Sequence, residues 1–287
     1  MNLPKAPQSK MNQLAKSLRP HMALSSWVLF AAVVVDQQGF DLLLLLLGLI
    51  LLIALYGMVV IINDLADYPI DTLNKRRDIP LVAGTVAPSD YVSLLVGLSV
   101  VVTLIGLALN QNVLLVSALY LLLGWLYSGP ANLKNRGLPA IILLGACYGL
   151  LPWWLGAAAT GIGPNPTLLV VSISSFIFAA GTVLLKDFKD VVGDRAGGKR
   201  TLLVVFGSTF VQGLLLALTL TGYGLLITYK FYQGAIMTGF VGAVLALLSG
   251  IILANSQLTR SAAYRRKYGN LVRVGFYLYA ITLYSIS

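Results

Sequence analysis

Asn63-Asp64-Leu65-Ala66-Asp67-Tyr68-Pro69-Ile70-Asp71 and Lys186-Asp187-Phe188-Lys189-Asp190-Val191-Val192-Gly193-Asp194 hold six of the chain's ten acidic residues. In each stretch aspartates stand at i, i+3 and i+7. On a helix those positions share a face, so each stretch sets three carboxylates in one stripe. Asn63, four residues before Asp67, adds an amide oxygen to the first stripe. Six carboxylates in one cavity repel one another, and a low dielectric makes that costly. A cation must neutralise them, or several must take up protons. Oxygen-only ligands favour Mg²⁺ or Ca²⁺. One Cys and one His leave no zinc cluster to build.

Mg²⁺ held by a few carboxylates usually shares its coordination sphere with water and phosphate oxygens. Basic residues follow each stretch: Lys75, Arg76 and Arg77 after the first, Arg195, Lys199 and Arg200 after the second. Guanidinium and ammonium groups suit phosphate oxygens. Together the residues read as a clamp for a diphosphate, with metal ions held by the aspartates. In a membrane cavity the natural diphosphate carries a lipid tail.

The elements that must position this chemistry are apolar helices. The chain has 287 residues, of which 58% are hydrophobic and only 10% charged, against about 25% charged in an average soluble domain. Runs of roughly 18 or more apolar residues recur, each long enough to cross about 30 Å of hydrocarbon. They lack the alternation of barrel strands, so helices are the structure that satisfies their backbones in lipid. The expected fold is an all-α integral membrane protein of nine transmembrane helices around a central cavity. Their approximate spans are 21–36, 41–62, 89–109, 112–128, 138–160, 167–185, 208–228, 234–254 and 270–286.

Nineteen of the twenty Lys and Arg residues then fall on one side of the membrane, with Lys230 alone on the other. That asymmetry places the N-terminus and the long connections in the cytoplasm, in the plasma membrane if the source is prokaryotic. It also accounts for the net charge of +10 without a nucleic-acid partner, and some of these cations can touch anionic headgroups. Residues 1–20, polar and basic without a small-residue cleavage site, read as a cytoplasmic tail rather than a signal peptide. Cys147 lies in an apolar run and cannot form an intrachain disulfide.

Shifted by 123 residues, Asp64, Asp67 and Asp71 fall on Asp187, Asp190 and Asp194 without a gap. Arg76 falls on Lys199, Arg77 on Arg200 and Gly84 on Gly207. The expectation is an internal four-helix repeat, halves 21–137 and 138–260, inside a single transmembrane domain 21–287 closed by the ninth helix. An even number of helices per repeat puts both acidic stretches on one face.

With NDLADYPID, DFKDVVGD and the stretch Tyr127-Ser128-Gly129-Pro130-Ala131-Asn132-Leu133-Lys134, the chain resembles the UbiA family of intramembrane prenyltransferases. The resemblance covers most of the chain. It implies Mg²⁺-dependent transfer of a prenyl group from a diphosphate, such as geranylgeranyl diphosphate, to an aromatic or lipid acceptor. It implies metal ligation by Asn63, Asp64, Asp67, Asp71, Asp187, Asp190 and Asp194, with Asp67, Asp71, Asp190 and Asp194 central to catalysis. Arg76, Arg77, Tyr127, Lys134, Lys199 and Arg200 would meet the diphosphate. Ile79-Pro80-Leu81 departs from the Arg-Pro-Leu or Arg-Pro-Ile common in the family, and Arg76 or Arg77 would replace the missing Arg. The second motif and the Gly198-Lys199-Arg200-Thr201-Leu202 after it resemble the branch acting on homogentisate, chlorophyllide or glyceryl lipids.

In such a reaction the allylic C–O bond breaks, apolar walls keep water from the carbocation, and an acceptor atom attacks and loses a proton. Tyr148, Trp153 and Trp154 could stabilise the cation, although packing is the simpler role for them. His21 reads as structural or interfacial. The alternative on the same scaffold is a terpene cyclase that needs no acceptor. A transporter fits poorly, because the acids lie at helix ends and no charge is expected at a helix centre.

Overall fold

The computed structural model describes residues 9–285, apart from the side chains of Lys189 and Asp190. Among the described residues every regular element is helical. In chain order they are α1 (Lys10–Ser17), α2 (Pro20–Gln38), α3 (Leu42–Leu73), α4 (Pro88–Leu109), α5 (Gln111–Ser128) and α6 (Leu138–Gly145). A π-helical turn (Ala146–Leu150) leads to α7 (Leu151–Thr160), α8 (Pro166–Thr182), α9 (Leu184–Ala196) and α10 (Leu202–Tyr232). Then come α11 (Ile236–Ala254), α12 (Gln257–Arg260) and α13 (Ala262–Ser285). Seven spans are long and apolar enough to cross a membrane, or eight if α1 and α2, bent by 46°, count as one. The last helix is long enough, but Arg265, Arg266, Lys267 and Arg273 make it more polar than the others.

Several boundaries differ from those expected. Helix α3 does not stop at residue 62 but carries the whole first acidic stretch to Leu73. Pro69 sits inside it; it gives no N–H to the Leu65 carbonyl and its ring crowds that carbonyl, and the helix ends one turn later at Leu73. The 138–160 helix holds the π turn, where Gly149 packs so closely on the Ser175 main chain that a Cβ would not fit. Just after the π turn, Pro152 contributes no N–H to the helix. Helix α10 starts at Leu202 and kinks at Gly207, whose φ of 79° is available to glycine at no steric cost.

Residues 10–17 of the expected tail form an amphipathic helix, capped by the Ser9 side chain on the Asn12 N–H. It lies against the ends of α3 and α4. Leu14 and Leu18 pack on Ile61, Ile79, Leu81, Val86 and Tyr91. The Tyr91 hydroxyl donates to Ser17 Oγ at 2.8 Å, and Lys10 pairs with Asp90 at 2.7 Å. Ile79 is thus a core residue beneath the turn after α3, which is why an apolar side chain stands there. Residues 1–8 and 286–287 lie outside the described residues.

Two large cores fill the bundle. One joins Trp153, Phe178, Tyr223 and Phe276, with α8, α10 and α13 packed around it. The other joins Phe30, Leu51, Leu55, Tyr120 and Leu155, from α2, α3, α5 and α7. In lipid such packing is driven by close contact rather than by water exclusion, and small residues permit it. Gly156 against Phe30 and Val33 is one such point.

Candidate active site

The end of α3 presents Asn63, Asp67 and Asp71 on one face, as the four-residue spacing requires. The 3₁₀ turn Leu133–Asn135, between α5 and α6, brings Lys134 onto that face. Its Nζ donates to Asp67 Oδ1 at 2.7 Å and to Asn63 Oδ1 at 3.0 Å. Asn63 Oδ1 also accepts from the Ser128 hydroxyl at 2.9 Å. Lys134 is 9% exposed. Burial pushes its ammonium down from the usual lysine range, and the Asp67 carboxylate pulls it back up. Two oxygens of the first motif therefore converge on one cation.

Asp64 faces away from this point. Only 2% of it is exposed, and it accepts from Arg19 Nη2 at 3.1 and 3.4 Å. Arg19 holds a left-handed φ of 47° between α1 and α2. Both the spacing and the family resemblance grouped Asp64 with the ligands; here, three residues before Asp67, it lies far enough around the helix to meet Arg19 instead.

The second motif meets the first at the same end of the bundle. Asp194 is buried and pairs with Lys199 at 2.9 Å. Asp71, half-buried, lies within electrostatic reach of Arg76, Lys199 and Lys134, so both motifs and the 3₁₀ turn share one polar centre. Lys186, at the start of α9, donates to the Tyr127 hydroxyl at 2.6 Å and lies over its ring at 5.1 Å. Asp187 is half-buried on α9, and the Asp190 side chain lies outside the described residues. Arg76 pairs with Asp78 through two contacts of 3.0 Å, while Arg77 and Arg200 are exposed on the turns after the two motifs.

Among the described residues no three His, Cys, Asp or Glu side chains close into a metal cluster. The donor set still fits a hard divalent ion: Asn63 and Asp67 offer only oxygen, and the cation they now share is the Lys134 ammonium.

Deeper in the bundle a narrow crevice of about 10 Å³ is lined by Tyr56, Tyr120, Tyr127, Leu144, Cys147 and Tyr148. The π turn aims Tyr148 at Tyr56, with ring centres 6.0 Å apart. Trp153 is a packing residue: it is fully buried and donates to Ser175 Oγ. His21 is exposed beside Lys16 and Arg19 in an open hollow of about 530 Å³. The residues not singled out from sequence are Arg19, Lys186 and Ser128. Lys186 opens the second motif and Ser128 stands in the quoted tyrosine stretch, so adjacency was the available signal.

A family model described as the UbiA prenyltransferase family matches residues 24–278. A chlorophyll synthase of Arabidopsis thaliana is 33% identical over 54% of this chain and 41% of its own length. The chain thus spans under half the length of the plant relatives it matches. The bacteriochlorophyll synthase 33 kDa chain of Cereibacter sphaeroides is 30% identical over 82% of this chain and 78% of its own. A digeranylgeranylglyceryl phosphate synthase of Methanoregula boonei is 31% identical over 71% and 72%. Among solved structures, a UbiA homolog from Archaeoglobus fulgidus bound to GPP and Mg²⁺ superposes with a TM-score of 0.70. It is 19% identical over 96% of this chain and all of that one.

Proposed function

Because the chain belongs to the UbiA prenyltransferase family, we propose that it transfers a polyprenyl group from a prenyl diphosphate to an acceptor within the membrane. The observation that carries this is the convergence of Asn63 and Asp67 on Lys134, with the Asp194–Lys199 pair at the same polar centre. Acceptors of the chlorophyllide or glyceryl phosphate type are favoured by the names of the relatives. Geranylgeranyl diphosphate is the donor we assign. The finer architecture belongs to the same reading: nine spans with α13 as the ninth, a four-helix repeat in a single domain 21–287, and cytoplasmic motifs.

Asn63, Asp67, Asp71, Asp187, Asp190 and Asp194 are the residues that would hold Mg²⁺. When bound, that ion would neutralise charge on the diphosphate. Lys134 and Lys199 exchange their carboxylate partners for phosphate oxygens, as charge-assisted donors. Lys186 of α9 and Tyr127 of α5 approach together, and Arg76, Arg77 and Arg200 come from the turns. These donors stabilise the charge that develops as the allylic C–O bond breaks and its electron pair leaves with the diphosphate. A hydroxyl oxygen or ring carbon of the acceptor then bonds to the allylic cation and gives up its proton, whereas a carboxylate oxygen bonds with no proton to lose. Tyr56 and Tyr148 present π faces in an apolar crevice that keeps water out.

The test is turnover of the full chain in nanodiscs with geranylgeranyl diphosphate, Mg²⁺ and a panel of acceptors, reading diphosphate and product mass. Acceptor-dependent release supports transfer. Release without acceptor, yielding a hydrocarbon or terpene alcohol, replaces transfer with cyclisation.

A further inference from the structure

Helix α13 spans Ala262–Ser285, not the expected 270–286, so Arg273 is the twelfth of its 24 residues. It lies near the motif end of the apolar part of α13, and a half-buried guanidinium within a membrane bundle needs a partner. Its partners here are neutral. Nη1 donates to Asn270 Oδ1 at 3.1 Å and Nη2 to the Thr182 carbonyl at 3.1 Å. Tyr277, one turn on, and Tyr148, on the π turn, are close enough to act on its charge. Among the described residues no carboxylate pairs with it. By contrast Asp64, Asp67, Asp90 and Asp194 each hold a cation.

The Thr182 carbonyl marks where α8 gives way to α9. The Lys186 N–H, which a continuous helix would send to Thr182, bonds Val183 at 3.2 Å instead. Arg273 takes up the released carbonyl. Two bonds leave further N–H donors on a five-donor fork. Arg273 is half-buried, and Val272 and Phe276 beside it are fixed in the core. It is thus a held, incompletely neutralised cation on the membrane side of the second motif, next to the tyrosine crevice.

We infer that Arg273 binds an anionic group of the acceptor, a carboxylate or a phosphate. This deepens the proposed transfer reaction and rests on it. The diphosphate end already has Lys134, Lys186 and Lys199 around it, whereas Arg273 reaches the α8–α9 break from α13 and holds only neutral oxygens. A fork with spare donors binds either oxyanion bidentately, and a lysine there would offer a point charge only.

The experiment is equilibrium binding to the full chain in nanodiscs, without turnover. Two pairs of probes are compared: geranylgeranylglyceryl phosphate with its uncharged glycerol parent, and chlorophyllide with its methyl ester. The expected result is that the chain prefers the anion of at least one pair by about tenfold or more. Arg273→Gln should abolish that preference, Arg273→Lys should keep part of it, and GPP–Mg²⁺ affinity should stay within about twofold. The pair that discriminates identifies phosphate or carboxylate as the source. The inference is overturned if neither pair discriminates or if the preference survives Arg273→Gln. It is equally overturned if GPP affinity falls as far as acceptor affinity, which assigns Arg273 to the diphosphate. A lower unfolding temperature with the preference intact reduces Arg273 to a helix cap, and Arg273→Lys keeps the binding test readable if Arg273→Gln does not fold. Failure of the transfer reading itself appears elsewhere, as no diphosphate release from the unaltered chain.

Discussion

The two acidic motifs share a backbone turn and differ in how the helix reaches it. After the first, the Asn74 N–H bonds Ile70, Lys75 bonds Thr72 and Arg76 bonds Asp71. After the second, Gly197 bonds Gly193, Gly198 bonds Arg195 and Lys199 bonds Asp194, each the same step 123 residues on. Lys75 and Gly198 both have left-handed φ, 53° and 69°, and so do Gly84 and Gly207, at 72° and 79°. Before the motifs the likeness ends. Helix α3 runs unbroken through the first, while α8 loosens at Val183 and α9 carries the second. The chain has repeated a turn that sets carboxylates and cations, and has varied the helix that aims them. What differs is the side-chain support: Arg19 and Lys134 on the first motif, Lys199 and Arg273 around the second.

The comparison breaks most sharply at the carboxylates. Asp67→Ala and Asp194→Ala should each lower diphosphate release by about 10³-fold or more, as loss of charge stabilisation at a reacting centre does. A large loss for one motif alone would show that only one aims at the substrate. Chelation of divalent ions should stop release in the unaltered chain, and added Mg²⁺ should restore it.

Lys134 sharpens the picture. Lys134→Ala should cost about 10²-fold in kcat, measured at saturating donor, because both Asn63 and Asp67 lose the group that holds them. An equal cost for Arg76→Ala would move the phosphate contacts onto the turn, where Arg76 is now paired with Asp78.

Asp64 should separate from its neighbours. Asp64→Asn should lower stability by about 1–2 kcal/mol, since it removes a charge-assisted bond to a partly exposed Arg19. Thermal unfolding would read that loss, and activity should stay within about tenfold of the unaltered chain. Loss as deep as that of Asp67→Ala would return Asp64 to the metal site.

The smallest effect tests the shared turn. Gly84→Ala and Gly207→Ala should each cost about 1 kcal/mol, because both backbones are left-handed and neither site is crowded. Unequal values in the two melting curves would show that the turns bear different strain.

Much of this was legible in sequence because membrane constraints are strong and local. Apolar run length fixes the helices, and the triad spacing with its trailing cations fixes the polar end. Fine boundaries were not legible: nothing local distinguishes a helix that continues through Asp64–Asp71 from one that ends at 62. The amphipathic α1 was hidden by its polarity, since only packing on Ile79, Leu81 and Tyr91 shows which face is used.

The sequence by itself determined the family, the helical class, the paired motifs and the turns that follow them. These depend on residue type and spacing within a few turns of chain. Tertiary structure alone decided partnership: Lys134 to Asp67 and Asn63, Arg19 to Asp64, Arg273 to the carbonyl at the α8–α9 break. Each partnership joins residues 45 to 91 positions apart, and a guanidinium or ammonium carries no local mark of which oxygen it will meet.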